Sequence, residues 1–439
     1  MGQTTAIMFM LGVYTGSVFG GAISAVLINI PGTPDAVPTM MEGHPLAKQG
    51  QGGLALGTAI AGSFLGNWVG IVLLIAFIPL ILEFALEFRS WEMFLLAMWG
   101  IAICGTMSSG EQPLKGWISG WLGLLIAFVG LDRIHGVPRF TFDTYILEDG
   151  ISYIPILIGL FGLAEILRVL PQKSPYAIPT EVGRVVPPFR MLWKYSRSAV
   201  RSGLIGTLIG AIPGAGANVA SFLSYDVGRR RASPEERAKW GKGSYEGIIC
   251  AEVANNANVG GSMLPTLTLG IPGNAAAAAI LAALELKNVV VGPSINIEHP
   301  GLIYFIYIAL IIANFLMYGM AIALVRPCVK LFSLPRTLLM PLIIPLCMLG
   351  AFAVNLNYFD VYVMFGAGLV GFVLHRFGFP LAPMVLAVIL GPLADENLRR
   401  AMILFEDQSF WFIVTDHPIG SVLVVVVLYT FYDGIFRRG

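Results

Sequence analysis

Four polar side chains lie close together in an otherwise apolar stretch of the sequence: Glu252, Asn255, Asn256 and Asn258. A carboxylate and three amides are costly to bury unless each finds a hydrogen-bonding partner. Amide oxygens can coordinate a cation such as Na⁺, and amide N–H groups can donate to the carboxylates of a substrate. The segment therefore favours a binding site for an anion with a coupling cation nearby. A polar helix cap or contacts between helices would also explain the amides, and Glu252 could instead pair with a loop arginine.

Pro-Gly steps interrupt three apolar segments, at residues 31–32, 213–214 and 272–273. Residues 20–32 (GGAISAVLINIPG) and 260–273 (GGSMLPTLTLGIPG) are alike, since each has a Gly pair, apolar residues and Ile-Pro-Gly. Proline lacks a backbone donor and glycine tolerates any φ, so each step predicts the end of a helix inside the apolar layer. A helix that begins there presents N–H groups to an anion, and one that ends there presents carbonyls to a cation. Paired interrupted helices predict the central site of a transporter.

We expect the binding residues to lie at these breaks and in segment 252–258, which we place at the head of an apolar helix. The predicted substrate-binding residues are Asn29, Gly32, Thr33, Gly214, Gly216, Asn218, Asn255, Asn256, Gly273 and Asn274. The predicted coupling-ion residues are Glu252 and Asn258, and the ion is Na⁺ or H⁺. Because consecutive residues point about 100° apart on an intact helix, Asn255 and Asn256 can face one cavity only if the backbone breaks nearby.

Composition indicates which elements must position these residues. Of the 439 residues, 56% are hydrophobic and 12% are charged, about half the usual ~25% charged. So few charges cannot cover a soluble globule, and most of the surface must face lipid. The alternating pattern of a transmembrane barrel is absent, which predicts an all-α polytopic membrane protein with about 10–12 membrane elements of about 20 residues each. Candidate spans lie near residues 6–28, 54–82, 91–110, 114–131, 151–170, 301–325, 338–354, 360–376, 379–394 and 410–432.

Several classes of protein are not supported by the sequence. A net charge of +1 gives no basic field for nucleic acid. The five histidines and four cysteines lack the spacing of metal ligands, so no metal site is predicted. Nucleotide-binding, serine-hydrolase and zinc-hydrolase motifs are missing. We therefore expect neither an enzyme nor a cofactor beyond the coupling cation.

The basic residues predict the orientation and the division of the chain. Segments 171–201 and 226–246 each carry six Lys or Arg residues, whereas 132–150 has four acids and two arginines. The positive-inside rule places the two basic segments in the cytoplasm and 132–150 outside. Residues 202–225 then enter and leave on one side as a broken hairpin. We expect a first repeat half at 1–170, a Pro-containing cytoplasmic linker at 171–201 and a second half at 202–439.

Five strings of this sequence closely resemble the large membrane subunit of the tripartite tricarboxylate transporters. They span residues 27–57, 130–143, 203–230, 245–281 and 378–402. The resemblance implies a multi-pass permease of the bacterial inner membrane that imports small di- or tricarboxylates, driven by a cation gradient. It also implies a small membrane subunit of about four helices and a periplasmic solute-binding protein as partners.

The spacing of the breaks departs from the pattern that the resemblance implies. Each half should carry PGxG upstream of IPG, and Pro213 precedes Pro272 by 59 positions. The same offset from Pro31 falls before Met1, so we expect the N-terminal helices and the first PGxG to be missing. Three alternatives stay open: a permease without a binding protein, a truncated homologue that does not transport, and a membrane-embedded lipid-modifying enzyme. The carboxylate, the choice of Na⁺ or H⁺, the stoichiometry and the oligomeric state are also open.

Overall fold

The computed structural model describes residues 3–28, 32–85, 87–108, 112–132, 134–169, 183–213, 216–332, 336–406, 408–409 and 415–436. These residues are mostly helical. In chain order the helices are α1 (Gln3–Ile28), α2 (Val37–Leu46), α3 (Gly52–Ala85), α4 (Ser90–Ser108), α5 (Pro113–Ala127), α6 (Tyr145–Glu148), α7 (Tyr153–Leu157), α8 (Ala164–Val169), α9 (Phe189–Lys194), α10 (Ser196–Gly210), α11 (Gly216–Arg231), α12 (Pro234–Arg237), α13 (Tyr245–Leu269), α14 (Ala275–Glu285), α15 (Ile295–Glu298), α16 (Leu302–Phe332), α17 (Arg336–Asn355), α18 (Tyr358–Arg376), α19 (Ala382–Leu404) and α20 (Pro418–Phe436). Within the described ranges, the single sheet is an antiparallel pair, β1 (Gly130–Leu131) and β2 (Pro138–Arg139). A 3₁₀ turn at Pro34–Ala36 precedes α2.

Four helical stretches are long and apolar enough to cross a membrane. They are Thr5–Leu27, Pro34–Glu83, Leu302–Pro327 and Tyr358–Arg376. Shorter apolar helices lie at Ser90–Gly105, Leu114–Ala127, Ala275–Glu285, Ile344–Asn355 and Pro418–Asp433. The chain is an all-α polytopic membrane protein, which confirms the predicted fold class.

The chain folds into two compact units, each built from two separate stretches of sequence. Unit 1 comprises Met1–Glu83 and Pro175–Pro335, and unit 2 comprises Phe84–Ser174 and Arg336–Gly439. Each unit therefore contains residues from both sides of the predicted 171–201 linker. The division into repeat halves at 1–170 and 202–439 stays a prediction, because compactness does not test an internal repeat.

Helix α13 lies at the centre of unit 1, between α3 and α10. A Cβ atom at Gly66 of α3 would collide with the carbonyl oxygen of Val253, and one at Gly206 of α10 would collide with that of Ala254. Glycine at these positions lets the backbones approach closely. The apolar core of the unit packs further along the same helices, around Ile71, Leu74, Met263 and Leu267.

Unit 2 has its own core and a polar contact beside the β-ribbon. The core includes Ile156, Leu160, Met384, Val385 and Val388. The backbone N–H of Ile134 donates to Asp132 over 2.8 Å, and Arg399 forms an ion pair with the same carboxylate at 2.9 Å. These contacts, the Ile134 bond foremost, hold the pKa of Asp132 below its ordinary value.

Candidate functional site

The helices end ahead of each Pro-Gly step, as the sequence predicts. Helix α1 ends at Ile28, α10 at Gly210 and α13 at Leu269. Past α13, Gly270 takes a left-handed conformation with φ of 68°, which favours glycine. Helices α10 and α11 are separate and each packs against α13, so the helix is broken within 202–225. Entry and exit of this segment on one side of the membrane stays a prediction. Of the predicted binding residues, Asn29 and Gly214 lie outside the described residues.

Segment 252–258 lies in the middle of α13 and not at the head of a helix. Helix α13 begins at Tyr245, where Ser244 caps it by accepting a 3.1 Å bond from Gly247 N–H, and continues without a break to Leu269. The expectation of a break beside Asn255 and Asn256 is therefore wrong. An intact helix is possible because neighbouring segments supply partners for its buried polar side chains.

The carboxylate of Glu252 is completely buried and is bound by two hydroxyl groups. Thr39 of α2 lies 2.5 Å from Oε1, and Ser63 of α3 lies 2.9 Å from Oε2. Among the described residues, no Lys, Arg or His forms an ion pair with Glu252. The alternative in which this acid pairs with a loop arginine is wrong for this part of the chain.

Asn255 and Asn256 join Glu252 to a second buried acid. The amide of Asn256 donates to Asn255 Oδ1 at 2.6 Å and to the backbone carbonyl of Glu252 at 3.0 Å. The amide of Asn255 donates to Asp35 Oδ2 at 3.2 Å. Sequence reasoning missed Asp35, although an acid that closely follows a Pro-Gly break in apolar sequence was a signal for it.

Two further asparagines, also missed, extend this network to α3 and α16. The amide of Asn67 donates to Asn256 Oδ1 at 3.4 Å and to Asn314 Oδ1 at 3.2 Å, and Asn314 donates to the backbone carbonyl of Phe64. The amide oxygen of Asn67 is buried and has no hydrogen-bond partner in the part of the chain that the structure describes. Each residue is an isolated amide in a long apolar helix, a pattern that indicates a functional or packing role.

A second polar cluster lies at the other end of α13, around Asn274. The side chain of Asn274 caps α14 by accepting a 2.8 Å bond from Ala277 N–H, so its amide nitrogen must donate. It donates to Tyr14 OH and to Asn258 Oδ1, both at 2.8 Å, and Tyr14 OH contacts Ser262 at 2.6 Å. The oxygen of Asn258 thus accepts a hydrogen bond, while its buried amide nitrogen has no partner among the described residues. The unused group of Asn258 is a donor, which suits an anion better than a cation.

The remaining predicted residues lie at the breaks themselves. Thr33 precedes the 3₁₀ turn that carries Asp35, and Gly32 N–H donates to Gly21 O at 3.2 Å. A Cβ at Gly273 would come within 2.6 Å of Gly210 O, so the ends of α10 and α13 meet there.

Helix α11 begins at Gly216, which has φ of 72°, and contacts the acid network one turn later. Ser221 of α11 donates to the backbone carbonyl of Asp35 at 2.8 Å. Asn218 is exposed and lies outside both buried clusters. The structure therefore brings together Glu252, Asn255 and Asn256 in one cluster, and Asn258, Asn274 and Gly273 in the other.

The chain combines several apolar spans, interrupted helices and buried polar clusters. These features define a polytopic α-helical membrane protein of the transporter class. The chain belongs to the tripartite tricarboxylate transporter TctA family, whose model matches residues 1–386. It is 35% identical over 432 residues to an Agrobacterium vitis protein titled "Uncharacterized 52.8 kDa protein in TAR-I ttuC' 3'region", covering 97% of this chain and 84% of that protein. A second A. vitis protein, "Uncharacterized protein in TAR-II ttuC' 3'region", is 36% identical over 226 residues, covering 51% of this chain and 93% of that protein. No solved structure matches. The family is one of transporters, which confirms the sequence-based resemblance and does not favour the lipid-modifying enzyme.

Proposed function

We propose that this chain is the permease subunit of a secondary transporter that imports small di- or tricarboxylates across the bacterial inner membrane. The observation that supports it most is the buried polar network of α13, beside interrupted helices, in a chain of a tricarboxylate transporter family. Buried polar side chains in apolar helices mark substrate and ion pathways. The tripartite family name supports two partners, a small membrane subunit and a periplasmic solute-binding protein.

In this proposal the substrate carboxylates are bound by amide donors and by N–H groups at the breaks. The ten binding residues predicted from the sequence keep that role. Asn29, Gly214 and the exposed Asn218 are included on the sequence pattern alone. The coupling cation, Na⁺ or H⁺, is bound at Glu252. Ion binding by Asn258 stays a prediction, and its spare N–H donor favours a role in holding a carboxylate.

The test is uptake of labelled citrate and succinate into vesicles that contain this chain and its two partner subunits. Uptake should require a gradient of Na⁺ or H⁺ and should stop when ionophores collapse it. Uptake that continues without gradients when ATP is supplied, or no uptake of either carboxylate, would contradict the proposal.

A further inference from the structure

The hydroxyl groups around Glu252 supply too few hydrogens for an ionised carboxylate. Ser63 Oγ lies 2.9 Å from Glu252 Oε2 and also 3.0 Å from the backbone carbonyl of Ala59. Both atoms are acceptors if Glu252 is ionised, and a serine hydroxyl has one hydrogen to give. With a proton on Oε2, Glu252 donates to Ser63, Ser63 donates to Ala59, and Thr39 donates to Oε1. Each of these three oxygen–oxygen contacts then contains one hydrogen atom.

Within the described ranges, the elements packed around Glu252 supply no compensating charge. On α13 itself the neighbours are Asn255 and Asn256, and the nearest other titratable group is Asp35, an acid reached through Asn255. Arg201 of α10 contacts Ser198 and Cys250 and forms no ion pair with Glu252 in the described parts of the chain. A buried carboxylate with neither a cationic partner nor enough hydrogen-bond donors is costly, and it takes up a proton instead.

Two other buried acids, on α2 and α13, have hydrogen-bond partners of their own. Glu42 of α2 accepts bonds from the hydroxyl of Tyr225 and from backbone N–H groups, Ser244 among them. Glu246 of α13 is bound by Ser198. Neither acid forms an ion pair with a basic side chain in the described parts of the sequence.

A metal cation fits this place poorly. Both carboxylate oxygens are already covered by hydroxyl groups, and a Cβ at Gly62 would come within 3.1 Å of Glu252 Cβ, so α3 lies directly on the side chain. A hard cation needs a shell of several oxygen ligands around it, whereas a proton needs one atom.

We propose that Glu252 carries the coupling cation as a proton on Oε2, with Ser63 as its acceptor. This rests on the proposed import function and selects H⁺ from the two cations that the sequence leaves open. Loading forms the Oε2–H bond with a proton taken from water, and release breaks that bond and returns the proton to water. On release, the hydroxyl hydrogen of Ser63 turns from the Ala59 carbonyl to Oε2.

The first test needs no substrate. H₂O-minus-D₂O infrared difference spectra of the protein in lipid, recorded once with Na⁺ and once without it, should each contain the carbonyl band of a protonated carboxyl group. The band should be absent in Glu252→Gln, unchanged in the exposed control Glu235→Gln and unaffected by Na⁺. In Ser63→Ala the carbonyl band should move to higher frequency, because the acceptor of the Glu252 hydrogen bond is removed. This variant keeps the test decisive if Glu252→Gln does not fold. No band assignable to Glu252, or a band that Na⁺ abolishes, would overturn the proposal.

The second test measures coupling in vesicles that contain all three subunits. One coupled proton and a pH difference of one unit support about tenfold accumulation. Glu252→Gln, a permanently neutral side chain, should lose this accumulation yet keep exchange of labelled for unlabelled carboxylate. Loss of exchange as well, in a protein present at normal amounts, would overturn the coupling role. A wild-type protein that carries no carboxylate would contradict the import function but leave the infrared band in place, which distinguishes the two failures.

Discussion

Glu42 anchors the basic segment between α11 and α13, and its replacement tests how that segment is held. The side chain is completely buried on α2 and accepts four hydrogen bonds. Oε1 accepts from Tyr225 OH at 2.6 Å and Gly241 N–H at 2.7 Å, and Oε2 accepts from Gly243 N–H at 3.2 Å and Ser244 N–H at 2.8 Å. Four donors around one side chain require an ionised carboxylate.

Glu42→Gln should release residues 241–244 from α2. The new amide places an NH₂ group where one oxygen was, so two of the four donors lose their acceptor whichever way the amide lies. Each unsatisfied buried donor costs about 1–3 kcal/mol. Because the bonds from Gly241 and Gly243 are partly buried, we take the lower part of this range. A total of about 2–4 kcal/mol corresponds to a roughly 30- to 1,000-fold larger population of the open segment.

Trypsin measures this population, because the segment carries the exposed target residues Arg237, Lys239 and Lys242. Cleavage tracks the open population when opening and closing are fast. We expect cleavage in Glu42→Gln to be at least about 30-fold faster at these sites and unchanged elsewhere. Glu235→Gln, exposed on the same segment, is the matched control and should behave as the wild type. Equal rates of cleavage in Glu42→Gln and the wild type would refute the claim that Glu42 anchors the segment. Other contacts of the segment would then hold it in place.

Three further results are expected. Asn255→Ala and Asn256→Ala should each weaken carboxylate binding about 5- to 150-fold at normal membrane levels, since each leaves a buried partner unpaired. The control Asn357→Ala, which removes the cap of α18, should cost about 1 kcal/mol of stability and leave binding intact. Equal binding by all three variants would mean that Asn255 and Asn256 have a structural role. Asn258→Asp keeps the oxygen but removes the N–H donor, so carboxylate binding should fall at least about tenfold, whereas an ion ligand would bind its cation as well or better. Because the pKa of Asp132 is lowered, its stabilising effect is complete above the ordinary value of 3.8 and is lost as the pH falls through the lower folded-state pKa. Hydrogen exchange at residues 130–139 should therefore rise in acid in the wild type and be high at every pH in Asp132→Asn. A wild-type profile that does not change with pH would contradict the assignment.

The sequence by itself determined the class of protein, the positions of the helix ends and the importance of α13. Low charge and long apolar runs allow only a helical membrane protein, and proline and glycine end helices through local backbone chemistry. Glu252, Asn255 and Asn256 could be selected because polar side chains in an apolar helix need partners. These are effects of composition and of neighbouring residues, which a sequence shows directly.

Only the tertiary structure decided what those partners are. Thr39 lies 213 positions from Glu252, and Asp35 lies 220 positions from Asn255. Sequence reasoning therefore placed segment 252–258 at a helix head, where water or breaks would satisfy it. It also grouped Asn218 with the buried site, although that side chain is exposed on α11. Which side chains meet depends on how closely α3 and α10 approach α13 through Gly66 and Gly206, and such packing between distant segments follows no local rule of sequence.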